Sequence, residues 1–302
     1  MRHEAEAGAD AVEMSVPPAC EIRLPDEQSV PFVFNSPHSG RYYPADFLAA
    51  TSLDKHEIRR SEDLLVDQLF APVVRLGAPL MSANYPRAYL DVNREPYELD
   101  PKMFDGRLPT YANVRSLRVA GGLGTIPRVV SDSANIYKGP LPIEEGLERI
   151  ERIYRPYHDT LRRLLAQTHV AFGLAILIDC HSMPSNIRGG SSRVRPDFVL
   201  GDRFGASCMP ELTDQATAAL QRLGYSVCRN KPYAGGFITE HYGSPGRCVH
   251  ALQLEINRAL YLDEATLSKS KDFPKLMRTL AEMSARVFEA LPVLLERRAA
   301  AE

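Results

Sequence analysis

The sequence predicts an α/β fold, a three-layer α/β/α sandwich around a mixed, mostly parallel sheet. Three observations carry this expectation. Short apolar runs of strand length recur along the chain, amphipathic stretches of helical period lie between them, and no linker-like segment or internal repeat divides the 302 residues. Strands that alternate with helices favour parallel neighbours, because a parallel pair needs a crossover connection and a helix supplies it. The expectation is therefore one domain over residues 21–302. A loose tail at 1–20, rich in Ala, Glu and Gly, precedes it and runs through Pro17-Pro18.

Taken in order, the expected strands are 30–35 (VPFVFN), 79–83, 88–92, 174–180 (LAILIDC), 198–200, 225–228 and 249–256, each short and rich in Val, Ile, Leu or Phe. The first helix is expected after Ser61-Glu62-Asp63, which read as an N-cap and acidic first turn before LLVDQLFAPVVRL, with Gly77 as the C-terminal glycine. Pro142, followed by Glu144 and Glu145, opens a second helix through LERIERIYRPYHDTLRRLLAQTH, broken or kinked near Pro156. Two more fit 210–223 and 273–298. Residues 100–142 are rich in Gly and Pro and lack periodicity; a connection that long in a compact domain serves as a lid or as a wall of the pocket.

Composition narrows the function. Hydrophobic residues make up 44% and charged residues 25%, which excludes fibrous, collagen-like and disordered chains. A formal net charge of -2 gives no electrostatic case for nucleic acid or an anionic membrane. No apolar run approaches the roughly 18 residues that cross a bilayer. The acidic N-terminus has no continuous apolar stretch of a secretory signal, so the cytoplasm is the expected compartment. Cys20, Cys180, Cys208, Cys228 and Cys248 are scattered and odd in number, which suggests reduced thiols.

Ligands of an open α/β sheet sit at the carboxyl ends of its strands. Four expected strand ends carry reactive residues: His38 after VPFVFN, Asp179 and His181 in LAILIDCHS, Asn93 and Arg94 in RAYLDVNR, and Glu255 in VHALQLEINR. Two imidazoles and one carboxylate form a common set for a catalytic zinc with a free position for water. His38 and His181 are the imidazoles of choice. Glu62 or Asp63 would give the carboxylate, leaving Glu255 as a general base. Arg87, Asn93 and Arg94 suit a substrate carboxylate, against the alternative of surface ion pairs with Glu95 or Glu98. His56, His158 and His169 lie in helical patterns and are expected to face solvent, whereas His241, with its neighbour Tyr242, and His250 are site candidates. The Gly-rich pieces GGLGT and NIRGGSSR match neither nucleotide-binding pattern, and Cys180 inside an apolar strand reads as inert packing.

The runs NSPHSG, SEDLLVDQL, NYPRAYLDVNREP, ERIYRPYHDTL, LIDCHSMP, DFVLGDRFGASC, KPYAGGFITEHYG and VHALQLEINR resemble, in this order from about 30 to 265, the N-formylglutamate amidohydrolases. The resemblance implies a zinc-carboxypeptidase-like, phosphorylase/hydrolase-like α/β/α fold. It implies hydrolysis of N-formyl-L-glutamate to formate and L-glutamate, as in histidine breakdown, with one Zn²⁺ as cofactor and a small N-acyl amino acid as partner. It further implies His38, Asp63 and His181 as metal ligands, with Glu62 as the alternative acid. Asn93 and Arg94 would grip a carboxylate, and Glu255 would be the catalytic glutamate. The rival readings are a related deacylase of the aspartoacylase or desuccinylase kind and a non-catalytic carboxylate-binding protein.

Overall fold

The computed structural model describes residues 16–130, 134–185 and 196–299. Among them seven strands form the main sheet: β1 (Cys20–Arg23), β2 (Phe32–Ser36), β3 (Leu80–Ala83), β4 (Ala175–Met183), β5 (Phe198–Gly201), β6 (Val227–Arg229) and β7 (Val249–Asn257). Their spatial order is β1-β3-β2-β4-β7-β5-β6. β3, β2, β4 and β7 run parallel; β5 is antiparallel to β7 and parallel to β6, and β1 lies antiparallel on β3. The sheet is thus mixed and mostly parallel.

The long strands β4 and β7 occupy the middle, covered on both faces, which is why AILI of β4 shows no apolar–polar alternation; LQLEIN of β7 does alternate, and its Gln253 and Glu255 belong to the site described below. Successive side chains still point to opposite faces. Val33, Leu177 and Ala251 join the core formed with Tyr157, Leu161 and Leu165 of the Arg155–Phe172 helix. Phe34, Ile178, Cys180 and Leu254 join the core formed with Leu212 and Ala216 of the Pro210–Arg222 helix and Leu276 and Leu280 of the Phe273–Ala299 helix. Each fully buried Leu, Ile or Phe contributes about 1.5–3 kcal/mol. Two apolar layers of this kind hold the sheet between helices.

Several expectations are corrected. Residues 88–92 are a turn, not a strand: the amides of Tyr89 and Leu90 both donate to the Pro86 carbonyl, at 2.9 and 3.3 Å, and the apolar side chains are buried without joining the sheet. Ser61 is not an N-cap. Residues Glu57–Ser61 form a 3₁₀ turn, Glu62 is extended, and Leu65 adopts a left-handed φ of 62°. The stretch read as one helix is split into Val66–Leu69 and the 3₁₀ segment Ala71–Leu76, because Pro72 has no amide to continue the helical ladder. Gly77 does close it, at φ 88°. The helix after Pro142 runs over Ile143–Arg149, then a π turn over Ile150–Tyr154, then Arg155–Phe172; the break falls immediately ahead of Pro156. β1 was not expected from the sequence: only Cys20 falls in the segment read as a tail, and residues 21–23 carry no apolar run.

The segment 100–142 contributes Ile126, Val130, Ile136 and Leu141 to the first core and walls the site described below. In GGLGT, Gly121 caps the short Leu117–Ala120 helix and Gly122 is left-handed, a structural use of both. NIRGGSSR lies outside the described residues. No described helix is long and apolar enough to cross a membrane.

A candidate metal centre at the strand ends

Parity along the strands assembles the site. Asn35 of β2, Asp179 and His181 of β4, and Gln253 and Glu255 of β7 share the face of Val33, Leu177 and Ala251, displaced toward the carboxyl ends. The parallel register sets Asn35 beside Asp179 and His181 beside Glu255. His38 follows β2 directly, and its carbonyl accepts the Asp63 amide at 3.0 Å, tying the two loops together. Adjacent residues of an extended backbone project to opposite sides. Glu62 is extended, so its carboxylate goes to the Tyr43 hydroxyl and the Arg59 guanidinium while Asp63 turns to the imidazoles.

Asp63 Oδ2 lies 3.2 Å from His38 Nδ1 and 3.0 Å from His181 Nδ1. One ligand atom each of His38, Asp63 and His181 falls within 4.8 Å of the others, and all three residues are buried. The far ring nitrogens are held by two further buried carboxylates: His38 Nε2 donates to Asp91 at 2.8 Å, His181 Nε2 to Asp179 at 2.9 Å. Asp91 is paired with Arg87 at 2.6 Å, and Asp179 accepts Asn35 Nδ2 at 2.9 Å; Asn35 in turn accepts the Tyr157 hydroxyl at 2.5 Å. A carboxylate behind each ring fixes its tautomer so that Nδ1 is the free donor atom. Two imidazole nitrogens and one carboxylate oxygen, each oriented from behind, fit a divalent zinc-type ion with an open position.

Electrostatics at the centre are strong. Burial alone would raise the Asp63 carboxyl, but His181 and His38 hold it well below the usual range. Burial likewise opposes ionisation of Asp91, and Arg87, Arg94 and His38 overcome it. His181 is raised well above its ordinary value: burial opposes its charge, and Asp179 and Asp63 prevail. Burial pushes Glu255 up to about 7, with His181 pulling down and Asp63 pushing up. Glu255 accepts Gln253 Nε2 at 2.9 Å.

A cleft of about 230 Å³ opens onto these groups, with Arg60, Arg87, Arg94, Tyr233 and Arg258 as its polar rim and Leu123, Pro127, Val129 and Val130 of the 100–142 segment as its apolar wall. That segment is a wall of the pocket. Arg87 and Arg94 line the cleft, Arg94 steadied by the carbonyls of Leu123 and Asn93 at 2.9 Å each. Asn93 is buried and already engaged: Oδ1 accepts the Ile238 amide at 2.7 Å and Nδ2 lies 3.3 Å from His181. A Cβ on Gly236 would meet that carboxamide at 2.6–2.9 Å, so only glycine leaves room for it.

His241 and Tyr242 do not line the cleft. His241 is exposed and stacks on Phe237, and the Tyr242 hydroxyl is directed into the core against His158 Nδ1 at 2.9 Å. His250 lies on the opposite face of β7, its Nδ1 accepting the Met209 amide at 3.3 Å. His158 is buried and not solvent-facing. Sequence reasoning gave Asp91, Gln253, Arg258 and Tyr233 no part in the site. The spacing of Asp179 and His181, two apart on one strand, was a usable signal for the carboxylate behind that ring; nothing comparable marks Asp91, whose position depends on a turn.

Fold and site together describe a mixed α/β protein with a buried His–Asp–His group that could hold a metal ion. Residues 30–262 match the N-formylglutamate amidohydrolases, and the chain belongs to that family. It is 33% identical over 238 residues to the N-formylglutamate deformylase of Pseudomonas putida, covering 78% of this chain and 83% of the relative. The enzyme of that name from Pseudomonas aeruginosa is 33% identical over 239 residues, with the same coverage. The crystal structure of N-formylglutamate amidohydrolase from Ralstonia eutropha JMP134 superposes with a TM-score of 0.85 at 36% identity, over 90% of this chain and 97% of that one. A protein of Agrobacterium tumefaciens shares the fold at 16% identity, with a TM-score of 0.60 over 91% and 97% of the two chains.

Proposed function

We propose that this chain hydrolyses the amide of N-formyl-L-glutamate, or of a close N-acyl amino acid, to the carboxylate and the free amino acid, and that it does so with one zinc ion. The observation that carries the reading is the meeting of His38 Nδ1, His181 Nδ1 and Asp63 Oδ2 at one point beside a separate buried carboxylate, Glu255. The names of the relatives supply the substrate. His38, Asp63 and His181 are the residues that would hold the metal. Bound zinc polarises an amide carbonyl and acidifies water.

The chain's own residues do the rest. Glu255, raised by burial to about 7, takes a proton from the attacking water and returns it to the departing amine nitrogen. The acyl carbon gains a C–O bond and loses its C–N bond, so one water is consumed per amide. Arg87 and Arg94, charged and facing the cleft, pair with the substrate carboxylate. Asn93, with its carboxamide engaged elsewhere, keeps His181 and the Ile238 turn in place.

The test is formate release from N-formyl-L-glutamate by chelator-stripped protein, with and without added zinc. Turnover restored by zinc is the expected result. Zinc uptake without formate release would discard the formyl substrate, and a panel of N-acetyl and N-succinyl glutamates and aspartates would then identify the acyl group. Turnover that survives full removal of metal would overturn the metal-dependent reading.

A further inference from the structure

We infer that Arg258 is a positioning residue for the acid ligand, holding the outer oxygen of Asp63 so that a single carboxylate oxygen faces the two imidazoles. The inference rests on the metal reading above. The two oxygens of Asp63 have different surroundings. Oδ2 faces the ring nitrogens, whereas Oδ1 accepts Ser182 Oγ at 3.0 Å and Arg258 Nη2 at 3.2 Å.

Arg258 is itself fixed. Its Nε donates to Ser182 Oγ at 3.0 Å and its Nη1 to the Arg60 carbonyl at 3.0 Å, and its side chain is only 8% exposed. A planar guanidinium held at three nitrogens has little freedom to tilt. The local backbone explains the reach. β7 ends at Asn257, whose side chain accepts the Ala259 amide at 3.1 Å and so caps the 3₁₀ turn Arg258–Leu260, which places Arg258 at the strand end. Only two residues, Ile256 and Asn257, therefore separate Glu255 from the arginine that restrains Asp63.

The consequence concerns coordination. A carboxylate free to rotate can bind through both oxygens and fill the position that a hydrolytic site reserves for water. A charge-assisted bond from a buried guanidinium resists that rotation more strongly than a neutral hydroxyl, so Arg258 outweighs Ser182. Loss of an outer-shell partner costs about 10- to 100-fold in metal affinity or activity.

The test compares wild type with Arg258→Gln, Arg258→Lys and Ser182→Ala. Three quantities are measured: zinc affinity by competition with a chromogenic chelator, the visible spectrum of the cobalt(II)-loaded protein, and thermal unfolding without metal. Arg258→Gln should weaken zinc about 10- to 100-fold and dim the cobalt bands as the coordination number rises. Lysine should recover part of the affinity, and Ser182→Ala should lose less than Arg258→Gln. Lower stability of the metal-free Arg258→Gln protein with unchanged zinc affinity and cobalt spectrum would overturn the inference, leaving a purely structural arginine. Should that variant not fold, unchanged affinity and spectrum in Arg258→Lys would overturn it equally. A wild-type protein that takes up neither ion would instead overturn the metal reading itself.

Discussion

Glu62 and Asp63 are chemically alike and adjacent, yet they sit on opposite sides of one extended backbone. Asp63 meets two imidazoles; Glu62 meets Tyr43 and Arg59. Asp63→Asn should therefore abolish tight zinc binding. Glu62→Gln should leave zinc binding intact and cost about 1–3 kcal/mol of stability through its lost charged hydrogen bonds, as measured by urea unfolding beside zinc competition. Glu255→Gln should reduce kcat about 100- to 10,000-fold with one zinc still bound per chain, checked by formate assay and metal analysis. At this scale the sequence exposed the residues that follow long apolar runs, His38, His181 and Glu255, because a polar group at the end of a buried strand stands out. The family resemblance favours Asp63 over Glu62, but the residues alone do not, because the backbone between them decides which side each carboxylate takes. His241 and Tyr242 were misplaced for the related reason that a short helix, Phe237–Tyr242, decides which way they turn.

The elements were legible where hydrophobicity alone decides them. β4, β7 and the Arg155–Phe172 helix are read from their apolar runs and period. The edge strand β1, CEIR, escapes because two of its four residues are exposed and its ends only half-buried, so no apolar run marks it. Residues 88–92 mislead in the opposite sense, being buried by loop packing and not by strand pairing. His158 shows what the helix around it conceals. Its Nε2 donates to the Val92 carbonyl at 2.8 Å, its Nδ1 accepts the Tyr242 hydroxyl, and burial pushes it down to about 4, with His241 and Arg162 adding to the effect. The unfolded chain therefore takes up a proton near pH 6.5 that the folded chain refuses. Stability should be full above pH 6.5 and fall as the pH drops toward 4, by about 3 kcal/mol in all. Urea unfolding between pH 4.5 and 7 should show this slope in wild type and a flatter one in His158→Gln, which can make both hydrogen bonds without titrating.

On the scale of the whole molecule, the site gathers residues from both halves of the chain onto one face of one sheet, and its charges balance across that distance. Asp63, Asp91 and Glu255 face Arg87, Arg94 and Arg258 around two imidazoles. Metal binding should accordingly stabilise the entire fold. Zinc at 100 times its dissociation constant should add about 2.7 kcal/mol to the unfolding free energy, read by urea unfolding with zinc and with chelator, and the gain should vanish in the His38→Ala/His181→Ala double variant. The position of β7 carries a consequence for how this protein comes into being. It is the last strand of the main sheet to be synthesised, yet its place is between β4 and β5 near the middle of the sheet. Until residues 249–257 leave the ribosome, β4 has one open edge, and Gln253, Glu255 and Arg258 do not exist. A nascent chain can thus carry His38, Asp63 and His181 without Glu255 and Arg258, to which the function and the inference proposed above give the proton transfer and the restraint of Asp63. On the proposed function, competence should arrive with the insertion of this one strand, and activity would then report that the sheet has closed.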